Sequence, residues 1–541
     1  MAGDVALPLN DINVMIVTDV HSWIAGHEHP DHLPLLNASY GDVVSLFEHI
    51  QASADAAGRD LFFVQNGDLN DGTGFSRMPP EALVPLLQKM PFDALTTGNH
   101  ELYHNEMIEY LAQPGGFVDS WGGRFLTSNV LNATTLEPIG ARSRLLVGRT
   151  AGKRVLAFGF LYDMRDHGDA VVVRPVEEIV EEAWFIHMLN ATSSYDALLF
   201  LAHMDYADPL VDTIHHAVRA IVGEAVPVQF VTGHSHIRAV RGLDAHAASF
   251  EAGHYLDTIG FTSFPLVESR ASSLPPNGLP NGLANGFAHV NIDANVAAMA
   301  KVVGLEPDEF ATPAGEALQD EIGRTAASLG IARVLGCSPH LYLVDAPLEA
   351  VNSLWRLYLQ NVTVSKALGG NSSKVVLQST GSLRYNLYAG AVTLNDIYTM
   401  TPFADRFWRV AQRISGDDLT AMVQALNPPF TTASNENRSR LELRARGGRR
   451  IPARTRVHAV EDGQLPQYTT TSAPEPNLDY ELWTLDYDLS AVSAAVAAQT
   501  EEQVEPQLML SGANTTDIWA KWVSEEWACS PKKGAKARKA E

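Results

Sequence analysis

In the first half of the chain the apolar residues fall in short unbroken runs, and five of these runs stop at Asp, Asn or His. Residues 14–18 lead into Asp19 and His21, and residues 61–64 into Gly67 and Asp68. Residues 93–96 lead into Gly98, Asn99, His100 and Glu101, residues 197–201 into His203, and residues 228–232 into Gly233, His234, Ser235 and His236. Unbroken runs of this length predict strands covered on both faces, by helices or by a second sheet. Side chains two apart in an extended chain point the same way, so Asp19 with His21, and His234 with His236, are expected to emerge as pairs.

Between the runs, helical spacing predicts helices over 41–57, 176–189 and 211–222, and over 81–90 behind Pro79 and Pro80. Glu177, Glu178, Glu181 and Glu182 are expected on the solvated face of the third of these in chain order. Further strands are expected at 125–128, 145–147, 155–160, 257–264 and 287–292, with a Pro-, Asn- and Gly-rich loop over 274–286. Residues 316–329 read as a helix of about four turns, and the domain junction is placed there. The expected division is a first domain over 1–305, a linker helix within 306–335 and a second domain over 336–541. The second domain mixes helices such as 348–359 with strands such as 374–378, and residues 480–487 alternate apolar and polar in strand fashion.

With 541 residues, about half of them apolar, the chain can bury more than one core. Its 63 acidic and 39 basic residues, a formal net charge of -24, argue against a broad nucleic-acid or anionic-lipid surface. An anionic substrate would need concentrated local positive charge, which divalent metal ions supply. Cys337 and Cys529 are the only cysteines, so a Cys-ligated metal site at the strand ends is excluded. The two are either bridged or a pair of buried thiols. No run of about 18 apolar residues predicts a membrane span, and residues 1–10 show no signal-peptide pattern. Sequons at Asn37, Asn132, Asn190, Asn361, Asn371, Asn437 and Asn514 point instead to a secreted or lumenal protein, with a cytoplasmic one as the alternative. Residues 532–539 form a basic tail expected to be solvated.

The chemistry follows from the donors at the strand ends. Asp19, His21, Asp68, Asn99, His203, His234 and His236 offer more ligands than one ion takes. They suit two divalent ions about 3.5 to 4 Å apart that share a carboxylate. Such a pair activates water near neutral pH and holds phosphoryl oxygens, which is the combination that phosphoester hydrolysis needs. His100 can give a proton to the leaving oxygen or stabilise transition-state charge. Oxygen and nitrogen ligands of this kind admit Zn, Mn, Fe or Co. A reading in which each Asp and His merely caps a turn must hold at five places at once.

In this order the motifs resemble those of the calcineurin-like metallophosphoesterases, and the second half resembles the substrate domain of the 5′-nucleotidase branch. The resemblance implies a four-layered α/β/β/α metallophosphatase domain followed by an α/β substrate domain. It implies that Asp19, His21 and His236 hold one metal, that Asn99, His203 and His234 hold the other, and that Asp68 bridges them. His100 takes the part of the catalytic histidine. Arg384 in Gly381-Ser382-Leu383-Arg384 resembles the family's substrate-binding arginine, and Tyr487 stands near the family's base-stacking aromatic. Where the family often has an Asp three residues after the catalytic histidine, this chain has Tyr103, followed by His104; both are therefore carried as catalytic candidates. Ser379 stands where the arginine motif usually begins with Asn, and Asp488-Leu489-Ser490-Ala491-Val492 replaces the Gly-rich segment usual after the stacking aromatic.

The expectation is a dinuclear-metal phosphomonoesterase of the 5′-nucleotidase kind, in which a hydroxide bridging the metals attacks a nucleoside monophosphate. The alternatives are a broad phosphomonoesterase, a cyclic-nucleotide phosphodiesterase or a nucleotide-sugar hydrolase on the same scaffold, and, more remotely, a non-catalytic binding protein.

Overall fold

The computed structural model describes residues 7–27, 29, 35–266, 286–427, 448–450, 466–500, 505–509 and 512–529. Most of the 274–286 loop, the Asn437 sequon and the basic tail lie outside them. The described chain divides into two compact units that part between Thr325 and Ala326; Gly72–Gly74 groups with the second unit, and Gly448–Arg450 with the first.

The first unit is built on two sheets. In chain order its strands are β1 (Ile12–Val17), β2 (Asp60–Asn66), β3 (Ala94–Thr96), β4 (Phe125–Leu126), β5 (Val130–Asn132), β6 (Ser143–Val147) and β7 (Arg154–Leu161). They continue with β8 (Val171–Val173), β9 (Ala197–His203), β10 (Val228–Thr232), β11 (Arg238–Asp244), β12 (Ala247–Ala252), β13 (Thr258–Phe264) and β14 (Ala288–Asp293). One sheet has the order β14-β13-β1-β2-β3-β4. The other runs β11-β12-β10-β9-β7-β6, with Gly448–Arg450 on its β11 edge, and β5 pairs with β8 apart from both. The strands that lead to the polar segments are parallel within each sheet: β1 to β2 and β2 to β3 in one, β9 to β10 in the other. Their C-terminal ends therefore lie along one edge of each sheet.

The sheets face each other through one shared core. Ile12, Val14, Ile16, Phe62 and Val64 come from one, and Val155, Ala157, Leu199, Leu201, Val231 and Phe250 from the other. The opposite face of the second sheet, with Phe158, Phe200 and Phe230, is covered by helix Pro209–Val222 and its neighbours through Val211, Ile214 and Val218. The opposite face of the first sheet carries Phe63, whose ring meets Phe47 on helix Tyr40–Ala56 and Phe92. This is the four-layered α/β/β/α arrangement, and it explains why these strands are apolar on both sides.

Helix periodicity was a weaker guide than the strand runs. Only Val84–Leu87 of the expected 81–90 helix is α-helical. The expected 176–189 helix is two, Val176–Val180 and Ala183–Asn190. Arg174 pairs with Glu178 in the first and with Glu182, the N-cap of the second, so the break brings both carboxylates onto one guanidinium. Helix Pro313–Leu329 packs its first turns on helix Tyr40–Ala56, where the Thr312 amide donates to Ser45 Oγ at 3.1 Å.

His289 is buried in the first unit between Phe250 and Phe287, with Nε2 3.0 Å from Gln229 Oε1. Burial pulls its pKa from 6.5 down to about 3. The unfolded chain takes up a proton below pH 6.5 that the native chain refuses. Stability is therefore lost as pH falls from 6.5 toward 3, at about 1.4 kcal/mol per pH unit from this residue. Urea unfolding at pH 6.5 and pH 4.5 should show His289→Gln losing about 2 kcal/mol less than the parent over that interval.

The second unit centres on a five-stranded sheet with the order Tyr468–Thr470, Lys374–Ser379, Asp479–Leu485, Phe407–Ser415, Gln507–Leu508. The alternation over 480–487 places Trp483 and Leu485 on a core with Trp355, Tyr358 and Trp519, and Tyr480 and Leu482 on one with Leu419, Val492 and Val496. Both faces are thus covered. The expected 348–359 helix begins only at Leu354, after the Ser353 side chain caps it, and widens into a π-helix over Tyr358–Ala367.

Cys337 and Cys529 form a disulfide, Cα to Cα 4.9 Å, across 192 residues of sequence. Closing so long a loop restricts the unfolded chain, an effect of up to about 5 kcal/mol. Cys529→Ser should lower the unfolding midpoint under oxidising conditions to that of the reduced parent. No helix among the described residues is long and apolar enough to cross a membrane.

Candidate metal centre

His203 closes strand β9, but five of the polar residues at the strand ends do not sit in extended chain. Asp19 and His21 after β1 have φ of 49° and 46°, Asp68 after β2 has 51°, and His234 and His236 after β10 have 74° and 60°. The paired emergence expected from strand alternation is thus produced by left-handed turns. Each such residue other than glycine costs roughly 1–2 kcal/mol, so the surroundings must fix it.

Hydrogen bonds between neighbouring loops do so. His21 N donates to Asp68 O at 2.9 Å, Ser22 N to Leu69 O at 2.7 Å, and His234 N to Asp19 Oδ1 at 2.9 Å. The fully buried Glu101 carboxylate accepts from the amides of Gly98 at 2.8 Å, Leu69 at 2.8 Å, Asp68 at 3.0 Å and Asn70 at 3.3 Å. It ties the loop carrying Asp68 to the loop carrying Asn99 and His100. Burial, with Asp68 nearby, raises its pKa to about 7. The two loops approach so closely that a Cβ on Gly98 would lie 2.1 Å from Asp68 Oδ1, and one on Gly67 2.6 Å from Gly98 N. Both positions require glycine.

The result is two adjoining sets of donors. Asp19, His21, Asp68 and His236 form one, and Asp68, His203 and His234 the other; within each set the donor atoms lie within 4.8 Å of one another. Asp68 belongs to both. Its Oδ2 is 3.4 Å from His21 Nε2 and 3.2 Å from His203 Nε2. Asn99 Oδ1 is 3.2 Å from His203 Nε2. All seven residues expected to bind metal are brought together. Asp19, His21, Asp68, Asn99 and His203 are buried, whereas His234 is exposed and His236 intermediate, so the cluster opens to solvent on the side of the turn after β10.

The donor chemistry fits cations. His21 Nδ1 is 2.9 Å from Asn70 O, and His203 Nδ1 is 2.7 Å from Asn66 O. These carbonyls accept the Nδ1 proton, so each ring turns its Nε2 lone pair inward. His21 Nε2 and His236 Nε2 stand 3.3 Å apart beside two buried carboxylates. Burial raises the Asp19 pKa. Burial also works to raise Asp68, but the surrounding histidines, His203 first, hold it well below the usual carboxylate range. Burial would lower His203, yet Asp68 and Asp19 carry it up to about 10.

Around the donors, His100 Nδ1 is 3.1 Å from Asp71 Oδ2, and both residues are buried. The carboxylate beside His100 therefore comes from the loop after β2. Tyr103 accepts from Asn99 Nδ2 at 2.9 Å, which turns Asn99 Oδ1 toward His203. The Tyr103 ring also stands edge-on to His100, at 5.2 Å. His104 is exposed at the N-cap of helix Asn105–Ala112. Behind His236, Ser235 Oγ donates to Glu251 Oε2 at 2.7 Å and Ile237 N to Oε1 at 3.2 Å. Sequence reading passed over Asp71 and Glu251. Asp71 lies in an Asn-Asp-Gly segment that reads as a turn, and Glu251 lies inside a strand.

In the second unit Arg384 lies over the Phe403 ring at 5.7 Å, and Tyr487 is 58% exposed. Asp488, where the resemblance leads one to expect glycine, is buried and accepts from Ser379 N at 2.8 Å. Two positions that depart from the family pattern thus bind each other.

Residues 12–238 match the calcineurin-like phosphoesterase family, and residues 340–487 the C-terminal domain of NAD nucleotidase. The chain is 26% identical to an uncharacterized protein of Schizosaccharomyces pombe, over 96% of this chain and 92% of that one. It is 28% identical to a secreted protein of Arthroderma benhamiae, over 74% of this chain and 65% of that one. Among solved structures, a 5′-nucleotidase from Candida albicans superposes with a TM-score of 0.82 at 24% identity, covering 96% of this chain and 98% of that one. A 5′-nucleotidase precursor from Thermus thermophilus superposes with a TM-score of 0.62 at 16% identity, covering 96% and 97%. These likenesses show a shared fold.

Proposed function

We propose that this chain, a calcineurin-like phosphoesterase with a C-terminal domain of the NAD nucleotidase type, is a dinuclear-metal phosphomonoesterase that acts as a 5′-nucleotidase. The observation that carries the reading is the pair of donor sets sharing Asp68, with His100 beside them. Asp19, His21, Asp68 and His236 would hold one divalent ion, and Asp68, Asn99, His203 and His234 the other. Two such ions, when bound, polarise the phosphoryl oxygens and lower the pKa of water.

The protein's own part is positional. Glu101 fixes the two loops that carry Asp68, Asn99 and His100. Asp71 orients the His100 ring through Nδ1, leaving Nε2 as the nitrogen to protonate or stabilise the leaving oxygen. Arg384 and Tyr487 are proposed to bind the substrate, and Arg384→Ala should raise KM for nucleotides more than it lowers kcat.

Phosphate release across nucleoside monophosphates, a cyclic nucleotide, a nucleotide sugar, a dinucleotide and an aryl phosphate tests the assignment. A preference for nucleoside monophosphates is expected. If they are turned over no better than the aryl phosphate, the nucleotidase assignment falls and a broad phosphomonoesterase remains. The match to the NAD nucleotidase C-terminal domain favours dinucleotide cleavage as the second reading. A secreted or lumenal location is supported by the Cys337–Cys529 bridge and by the relative named a secreted protein.

A further inference from the structure

The turn that joins β12 to β13 contributes no residue to either donor set, yet it is strained. Tyr255 and Leu256 have φ of 49° and 53°, side by side and neither a glycine. Asp257 closes the turn, accepting from His254 N at 3.0 Å and donating its own amide to His254 O at 2.8 Å. The cost of two left-handed side-chain-bearing residues, about 1–2 kcal/mol each, calls for a reason at this position.

The contacts of Tyr255 give one. Its amide donates to Asp19 O at 2.8 Å. Its ring stands edge-on to His21 at 5.2 Å and to His236 at 5.3 Å, the two rings whose Nε2 atoms are 3.3 Å apart. Trp23 stacks on it at 5.5 Å, and His27 Nε2 lies 2.7 Å from Tyr255 O. Asp19, His21 and His236 are three of the four residues of one donor set. Backbone strain, ring packing and hydrogen bonding thus converge on the same half of the cluster.

We propose that Tyr255 is a positioning residue for that donor set, wedged against His21 and His236 so that their Nε2 atoms keep the spacing one cation needs. The affinity of this site then depends on Tyr255, while that of the site built on Asn99, His203 and His234 does not. The inference rests on the two-ion reading proposed above.

The test is titration of the metal-stripped full chain with Mn²⁺, followed by calorimetry and by electron paramagnetic resonance. The parent should bind two ions and show the signal of an exchange-coupled pair. Tyr255→Leu, which keeps bulk but removes the ring, should bind one ion as the parent does and the other at least tenfold more weakly, with a single-ion six-line signal at one equivalent. Tyr255→Phe should restore the parent pattern. Two ions bound to Tyr255→Leu at parental affinity would overturn the inference and leave the two-ion reading intact. Equal weakening of both ions would also overturn it, showing a general structural role. Fewer than two ions on the parent would instead overturn the underlying reading.

Discussion

Asp68→Asn is expected to lower phosphate release by at least about 10³-fold, equivalent to about 4 kcal/mol of transition-state stabilisation. Asp68 is the one residue common to both donor sets, and its Oδ2 lies 3.4 Å from His21 Nε2 and 3.2 Å from His203 Nε2. The substitution keeps the shape and leaves Oδ1 to accept from His100 N, the 3.0 Å bond that links the two loops. What is lost is the charge and one oxygen able to face two cations. Elemental analysis should show two divalent ions per parent chain and one or fewer in the variant. A second readout follows from linkage. Ions held at 1,000 times their Kd stabilise the native state by about 4 kcal/mol each, so a chelator should lower the parent Tm by more than it lowers that of Asp68→Asn. A variant that keeps both ions and parental turnover would remove Asp68 from the centre.

How much of this was legible without coordinates depended on which physical signal carried it. The five strand ends were legible because a strand covered on both faces must be apolar throughout, and an Asp or His closing such a run is conspicuous. Their geometry was not. Asp19 and His21 were expected to align by extended-chain alternation, whereas left-handed turns align them. The breaks after Val180 and before Leu354 were invisible because a helical period persists through a kink made by caps and ion pairs. Glu251 reaches Ser235 and Ile237, and Tyr255 reaches His21 and His236, only once β10, β12 and β13 are assembled, and nothing local marks them. The disulfide was undecided from two cysteines alone and was settled by the approach of Cys337 to the chain after helix Thr515–Glu526.

Asp71 is the most consequential residue that local pattern concealed, and Asp71→Asn is expected to lower kcat on nucleoside monophosphates by about 10²-fold or more with KM little changed. The sequence alone directs attention to Tyr103 and His104, because they follow His100 where a carboxylate is usual. The fold supplies the carboxylate from the other side: Asp71 Oδ2 lies 3.1 Å from His100 Nδ1, and both residues are buried. Asn at this position can offer its oxygen to the ring but cannot stabilise the charge that His100 carries when it donates. The loss should be larger for a nucleoside monophosphate, whose leaving alkoxide needs a proton, than for an aryl phosphate, whose leaving oxygen is a weaker base. Tyr103→Phe should act differently, lowering metal occupancy through Asn99, because Tyr103 OH accepts from Asn99 Nδ2 at 2.9 Å. His104→Ala should stay within about twofold of the parent, since that residue is exposed at a helix start and surface changes away from special contacts are small. If His104→Ala were the variant that loses turnover and Asp71→Asn the silent one, the proton on the leaving oxygen would have to be controlled from the helix side of the site.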